Sequence, residues 1–228
     1  MSGGQGYGRA FAHWRDAAGD EWTDYTSHPF VAGLRDGTLP EAAFLRYLVQ
    51  DYVFLIHFSR AWALAVVKSE TLEEMQIAAR VVDGLLNHEM QLHVATCGAA
   101  GIDPATLETA EEHPATLAYT RYVLDAGQSG DLADLLAALA PCVLGYGEIG
   151  ARLAAEAPAG GPYRDWIETY AGEEYQGLCR EVGALMDAAL DRRIGPDHPS
   201  AARWPRLTQR FRTATRLEAA FWQMGLSG

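Results

Sequence analysis

Apolar side chains recur in this chain at three- and four-residue steps, segment after segment, with no convincing stretch of alternation. That spacing stacks side chains along one side of an α-helix, whereas a half-buried strand needs a period of two. The chain is therefore expected to be all-α. Residues 41–69 carry Phe44, Tyr47, Leu48, Leu55, Phe58 and Trp62 on one stripe. Pro40 stands just before them and suits a first helical turn, where its missing N–H costs nothing.

The remaining punctuation divides the chain into helices. An amphipathic stretch over 7–25 ends at His28-Pro29-Phe30, and a short helical turn closes at Asp36-Gly37-Thr38-Leu39-Pro40. Thr71, with Glu74 as its capping-box partner, opens a helix running to about residue 100 and stopped by Gly101. Residues 103–112 form a turn-rich connection, and Pro114 opens a helix ending near Gly127. Ser129-Gly130-Asp131 leads into the helix that holds Cys142. The clearest interior linker is 157–162, followed by helices over 163–192 and 201–224. Without repeats or composition shifts, residues 1–228 read as a single helical domain.

Composition narrows the function classes. A net charge of −12, with Lys68 the only lysine, argues against a nucleic-acid binder, which needs a basic stripe. It suits a protein that handles a neutral or cationic small molecule. No apolar run approaches the roughly 20 residues of a spanning helix, and Met1-Ser2-Gly3-Gly4-Gln5-Gly6 lacks a basic-then-apolar export signal. A cytoplasmic protein without a membrane partner is expected. Three widely spaced cysteines without a Cys-x-x-Cys pair suggest neither a disulfide framework nor structural zinc.

Three polar residues interrupt apolar helix faces. Asp51 breaks the stripe of 41–69, Cys142 follows Leu135 and Leu139 with Tyr146 one turn on, and Glu218 shares a face with Phe211, Phe221 and Trp222. A buried carboxylate costs several kcal/mol unless compensated, so the three together suggest a polar-centred pocket between helices. Each also has a plainer reading. Asp51 can be tied to a backbone N–H or an arginine, and Cys142 can be a small hydrophobe. Glu218 can pair with Arg210 or Arg212. Against the plain reading of Cys142, Pro141 loosens the helix beside it, and Gly145 and Gly147 leave room for a flat ligand next to Tyr146. Tyrosines and other aromatics recur near these positions and together can line a slot for a planar heterocycle. Glu89 and His93, four apart, can point the same way toward a metal, but a second such pair is wanting: Asp24 and His28 straddle a helix end.

With these segments laid out, the chain resembles the TenA/thiaminase II family, which has a haem-oxygenase-like all-α fold. The likeness rests on His28-Pro29-Phe30 with Asp36-Gly37-Thr38-Leu39-Pro40, on Tyr47-Leu48-Val49-Gln50-Asp51-Tyr52, and on Glu89 with His93. It continues through Thr116-Leu117-Ala118-Tyr119, Pro141-Cys142 to Tyr146, Trp166 to Tyr170, and Glu218 with Phe221-Trp222. The resemblance implies an aminopyrimidine hydrolase of thiamin salvage that also splits thiamin, without cofactor or metal, as a homotetramer. It further implies that Cys142 is the nucleophile, that Glu218 shuttles protons, and that Asp51 holds the ring's amino edge. Phe54, Tyr119, Tyr146, Tyr170 and Phe221 would shape the slot. Phe54 stands where the family often has a tyrosine. The cysteine assigns the chain to the cysteine-bearing branch.

Two other readings of the same fold stay open at this level. One is a non-haem metal-dependent oxygenase built on Glu89 and His93. The other is a non-catalytic pyrimidine-binding or regulatory protein.

Overall fold

Helix-forming spacing becomes helix along nearly the whole chain. A computed structural model describes residues 6–227, so of the opening hexapeptide read for an export signal only Gly6 is described. The first helices are α1 (Arg9–Ala18), α2 (Asp20–Thr26), α3 (Pro29–Asp36), α4 (Glu41–Lys68) and α5 (Leu72–Gly84). A five-residue π-helical turn, Leu85–Glu89, joins α5 to α6 (Met90–Ala99), and α7 (Pro104–Glu108) and α8 (Pro114–Ser129) follow. The last four are α9 (Leu132–Glu156), α10 (Arg164–Ala171), α11 (Glu173–Ile194) and α12 (Trp204–Leu226), and no strand occurs among the described residues.

The departures from the sequence reading have local causes. The stretch over 7–25 is two helices, because Gly19 adopts φ 51° and ψ −117°, a conformation that residues with a Cβ avoid. The stretch over 163–192 is likewise broken, at Gly172, whose extended backbone ends α10 and restarts the chain as α11. The turn-rich connection contains the short α7, and the last helix begins at Trp204 after a 3₁₀ turn, His198–Ser200. At Thr71 the capping box is half formed. Its hydroxyl accepts the Glu74 N–H at 3.2 Å, but the Glu74 carboxylate reaches the N–H of Glu70 instead and pairs with Arg192 and Arg193. The complete box caps α9, where Asp131 and Asp134 serve each other.

Helix α9 is the centre of the assembly, packed by α4, α8, α10, α11 and α12. It is apolar nearly all round, and by length and composition it does qualify to cross a membrane, contrary to the sequence reading. Its most apolar window is 94% buried inside the protein, which makes it a core helix enclosed by its neighbours. Asp134, fully buried near its start, fixes α12 alongside. Arg203, Arg206 and Arg210, each one turn apart, all donate to the Asp134 carboxylate at 2.8–2.9 Å. The buried apolar side chains of all these layers form one continuous cluster.

Candidate active site

A cavity of about 440 Å³ opens between α4, α5, the π turn, α9 and the break between α10 and α11. Asp51 and Phe54 reach it from α4, and Cys142 and Tyr146, four residues apart, from α9. The break at Gly172 lets Tyr170 at the end of α10 and Tyr175 near the start of α11 face the same space. The widened π turn adds Leu85, His88 and Glu89, in keeping with the tendency of such turns to sit at functional sites.

Of the eight residues singled out from sequence, five therefore line the cavity and three stand one layer behind it. Tyr119 and Phe221 back Phe54, with ring centroids 4.9 and 5.5 Å from it. Glu218, 1% exposed, backs Cys142, close enough for each group to shift the titration of the other. The Tyr119 hydroxyl donates to Glu218 Oε1 at 2.8 Å. The arginines considered as partners for Glu218 are engaged elsewhere, Arg210 with Asp134 and Arg212 with Glu21. Gly145 and Gly147 make room for protein rather than for a ligand. A Cβ on Gly145 would lie 2.5 Å from the Tyr25 ring, and one on Gly147 would lie 2.6 Å from Cys179 Sγ.

Burial dominates the electrostatics. It pushes the Glu218 carboxyl up to about 8, helped by the charge of Asp51, while the hydrogen bond from Tyr119 pulls the other way, and the nearby polar thiol of Cys142 adds to that pull. Burial also pushes the Cys142 thiol well above its ordinary range, and the charges of Glu218, Glu89 and Asp51 add to that. The Glu89 carboxyl is raised by burial too, and it accepts the Tyr170 hydroxyl at 2.6 Å. A thiol in this setting keeps its hydrogen until a base removes it. At the mouth, Asp83, Glu174 and Glu181 outnumber Arg80, which is itself paired with Glu181, so the entrance favours cations.

Sequence reasoning missed His93 as a neighbour of Asp51. Its Nε2 lies 2.6 Å from Asp51 Oδ2 and its Nδ1 2.9 Å from the carbonyl oxygen of Glu89. Burial works against protonating His93, but its hydrogen bond with Asp51 and the Asp51 charge outweigh it and raise the imidazole above its usual range. With both ring nitrogens engaged and the Glu89 carboxyl held by Tyr170, the Glu89–His93 pair offers no free imidazole lone pair to a metal. Among the described residues no group of three or more His, Cys, Asp or Glu side chains is arranged to hold a metal ion. The i,i+4 spacing was visible, but the partner came from another helix.

The comparisons with known proteins agree with this architecture. A TenA family transcription regulator from Silicibacter sp. TM1040 superposes with a TM-score of 0.95 at 59% identity, over 97% of this chain and 98% of that one. An aminopyrimidine aminohydrolase of Halalkalibacterium halodurans is 36% identical over 208 residues, 89% of each chain. A Shewanella denitrificans domain with a heme oxygenase-like fold superposes with a TM-score of 0.70 at 13% identity, over 95% of this chain and 91% of that one, which identifies the fold alone. The model of the TENA/THI-4/PQQC family matches residues 15–228, nearly all of the helical assembly and every residue of the cavity wall, and the chain belongs to that family.

Proposed function

We propose that the protein is an aminopyrimidine aminohydrolase of thiamin salvage. It replaces the exocyclic amine of 4-amino-5-aminomethyl-2-methylpyrimidine with a hydroxyl and releases ammonia. It also cleaves thiamin at the same methylene, giving hydroxymethylpyrimidine and the thiazole alcohol. The name of the Halalkalibacterium relative supports the reaction class. The observation that carries the reading is that Asp51 and Cys142 share one cavity wall while the buried Glu218 carboxyl, held by the Tyr119 hydroxyl, stands behind the thiol.

The chemistry follows from that arrangement. Asp51 accepts the ring's amino hydrogen, and Tyr146, Tyr170 and Phe54 sandwich the flat ring, with Tyr119 and Phe221 supporting the slot. Glu218 takes the thiol hydrogen as the Cys142 sulfur forms its bond to a ring carbon, and returns that proton to the ring nitrogen that gains the electron pair. The enriched ring then expels the amine, which arrives protonated and so leaves the methylene as ammonia, and Glu218 takes back the ring-nitrogen proton that the thiol later receives. Water adds to the methylene carbon, the carbon–sulfur bond breaks, and the aromatic ring and the thiol are restored. A carboxyl titrating near neutrality suits this two-way proton traffic. The acidic mouth attracts the protonated amine or the thiazolium of thiamin. Residues 1–228 act as one unit in this scheme, and the homotetramer belongs to the same proposal. Val67 and Leu72, 77% and 69% exposed, are apolar side chains that such an assembly would cover.

Incubating the purified protein with the aminomethylpyrimidine tests the reading, with ammonia and hydroxymethylpyrimidine expected in equal amounts. The Silicibacter relative, described as a transcription regulator, favours a second reading, a regulator that binds pyrimidines without turning them over. Thermal stabilisation by the pyrimidine without ammonia release would establish that reading instead.

A further inference from the structure

The carboxyl assigned to the substrate's amino edge is itself held from behind. His93 is 1% exposed and lies off the cavity wall, between Asp51 on α4 and the last residue of the π turn. A carbonyl oxygen only accepts, so the Nδ1 atom facing the Glu89 carbonyl carries a hydrogen. Two lone pairs do not approach to 2.6 Å, so a second proton lies between Nε2 and Asp51 Oδ2. Whichever atom holds it, the couple carries no net charge, and one carboxyl oxygen is committed to the imidazole. The other groups around it are the Glu89 carboxyl, bonded to Tyr170, and the Tyr47 ring, 6.5 Å away.

This arrangement has a consequence for recognition. The edge of a 4-aminopyrimidine presents an N–H donor beside a ring nitrogen with a lone pair. A freely turning, uncompensated carboxylate would attract the first and repel the second. A clamped, charge-compensated one presents an acceptor to the amino group without that penalty. We propose that His93 is a positioning residue that makes Asp51 selective for pyrimidines bearing the 4-amino group. The proposal rests on the hydrolase reading of the cavity, and it assigns the selectivity to a residue that never touches the substrate.

The test is the ratio of two affinities, measured by titration calorimetry on the full chain. The ligands are 4-amino-5-hydroxymethyl-2-methylpyrimidine and the analogue lacking the 4-amino group. Wild type is expected to prefer the amino compound by about tenfold or more. His93→Asn keeps an N–H for the Glu89 carbonyl but is too short for Asp51, and its preference should fall to within about threefold of unity. His93→Gln places an amide N–H where Nε2 stood and should restore most of the preference. His93→Leu serves as a second removal variant should the asparagine variant fail to fold. A residue that merely stabilises the fold would weaken both ligands alike, so a wild-type ratio in the removal variants overturns the proposal. Failure of wild type to bind either pyrimidine is a separate result, which removes the hydrolase reading and the proposal with it.

Discussion

Glu218 of α12 accepts the Tyr119 hydroxyl at 2.8 Å and adds its charge to the burial that raises the Cys142 thiol of α9, and neither Glu218 nor Cys142 takes part in an ion pair among the described residues. A cation beside the sulfur would stabilise a standing thiolate. Here burial and three nearby carboxyls do the reverse, and the proposed mechanism therefore has the pair hand one proton back and forth.

The pH dependence follows. Glu218 must be ionised to accept the thiol proton, and its carboxyl titrates at about 8, so the rate should rise with pH through that value. Glu218→Gln should lower kcat/KM by a factor of about 100 to 10,000 and abolish that limb of the profile. Steady-state rates from pH 6 to 9.5 check both.

Tyr119→Phe removes the hydroxyl that lowers the Glu218 carboxyl. The limb should move to higher pH, with activity at pH 7 reduced and activity at pH 9 largely recovered. A profile unchanged in position would separate Tyr119 from the proton step.

The same carboxyl makes stability pH-dependent. Its value in the folded protein lies above its ordinary one, so its contribution is fully present in acid and is lost as pH rises toward about 8. Glutamine does not ionise, so the melting temperature of Glu218→Gln minus that of wild type should grow between pH 5 and pH 8. A difference of several degrees is expected, since ~1 kcal/mol moves Tm by about 2–4 °C for a domain of this size. Thermal melts at the two pH values measure it.

Two glycines of α11 give a packing prediction. A Cβ on Gly183 would fall 2.0 Å from the carbonyl oxygen of Tyr7, against backbone that cannot rotate away. Gly183→Ala should destabilise by about 1–3 kcal/mol or more. On Gly177 the added methyl meets only the end of the Arg180 side chain at 3.7 Å. Gly177→Ala should be neutral or stabilising by up to about 1 kcal/mol, because alanine is the better helix former. Denaturant melts of both variants check the contrast.

These residues also show where sequence stops being legible. Asp51, Cys142 and Glu218 could be found because each breaks an apolar stripe, and such breaks are local facts about one helix. The turn at Gly19 left no such mark: the apolar period runs through it, and only the backbone angles reveal the break. His93 could be seen four residues after Glu89 and weighed as a hydrogen-bonded structural residue against a metal ligand, yet its partner is 42 positions away on another helix and could not be named. Gly145 and Gly147 signalled missing volume correctly, but what fills that volume comes from Tyr25, Tyr7 and Cys179. The layer behind the wall, Tyr119, Phe221 and Glu218, was grouped with the wall because helical spacing gives direction without depth.

In the proposed mechanism sulfur chemistry at Cys142 drives amine release, and Cys142→Ser isolates that step. Serine keeps the size and a hydroxyl donor for Glu218 but is a far weaker nucleophile. The variant should still bind the aminomethylpyrimidine within about threefold of wild type. Its ammonia release should fall by a factor of about 1,000 or more, the loss expected when a covalent nucleophile is removed. Ammonia release at the wild-type rate from Cys142→Ser would rule out Cys142 as the nucleophile.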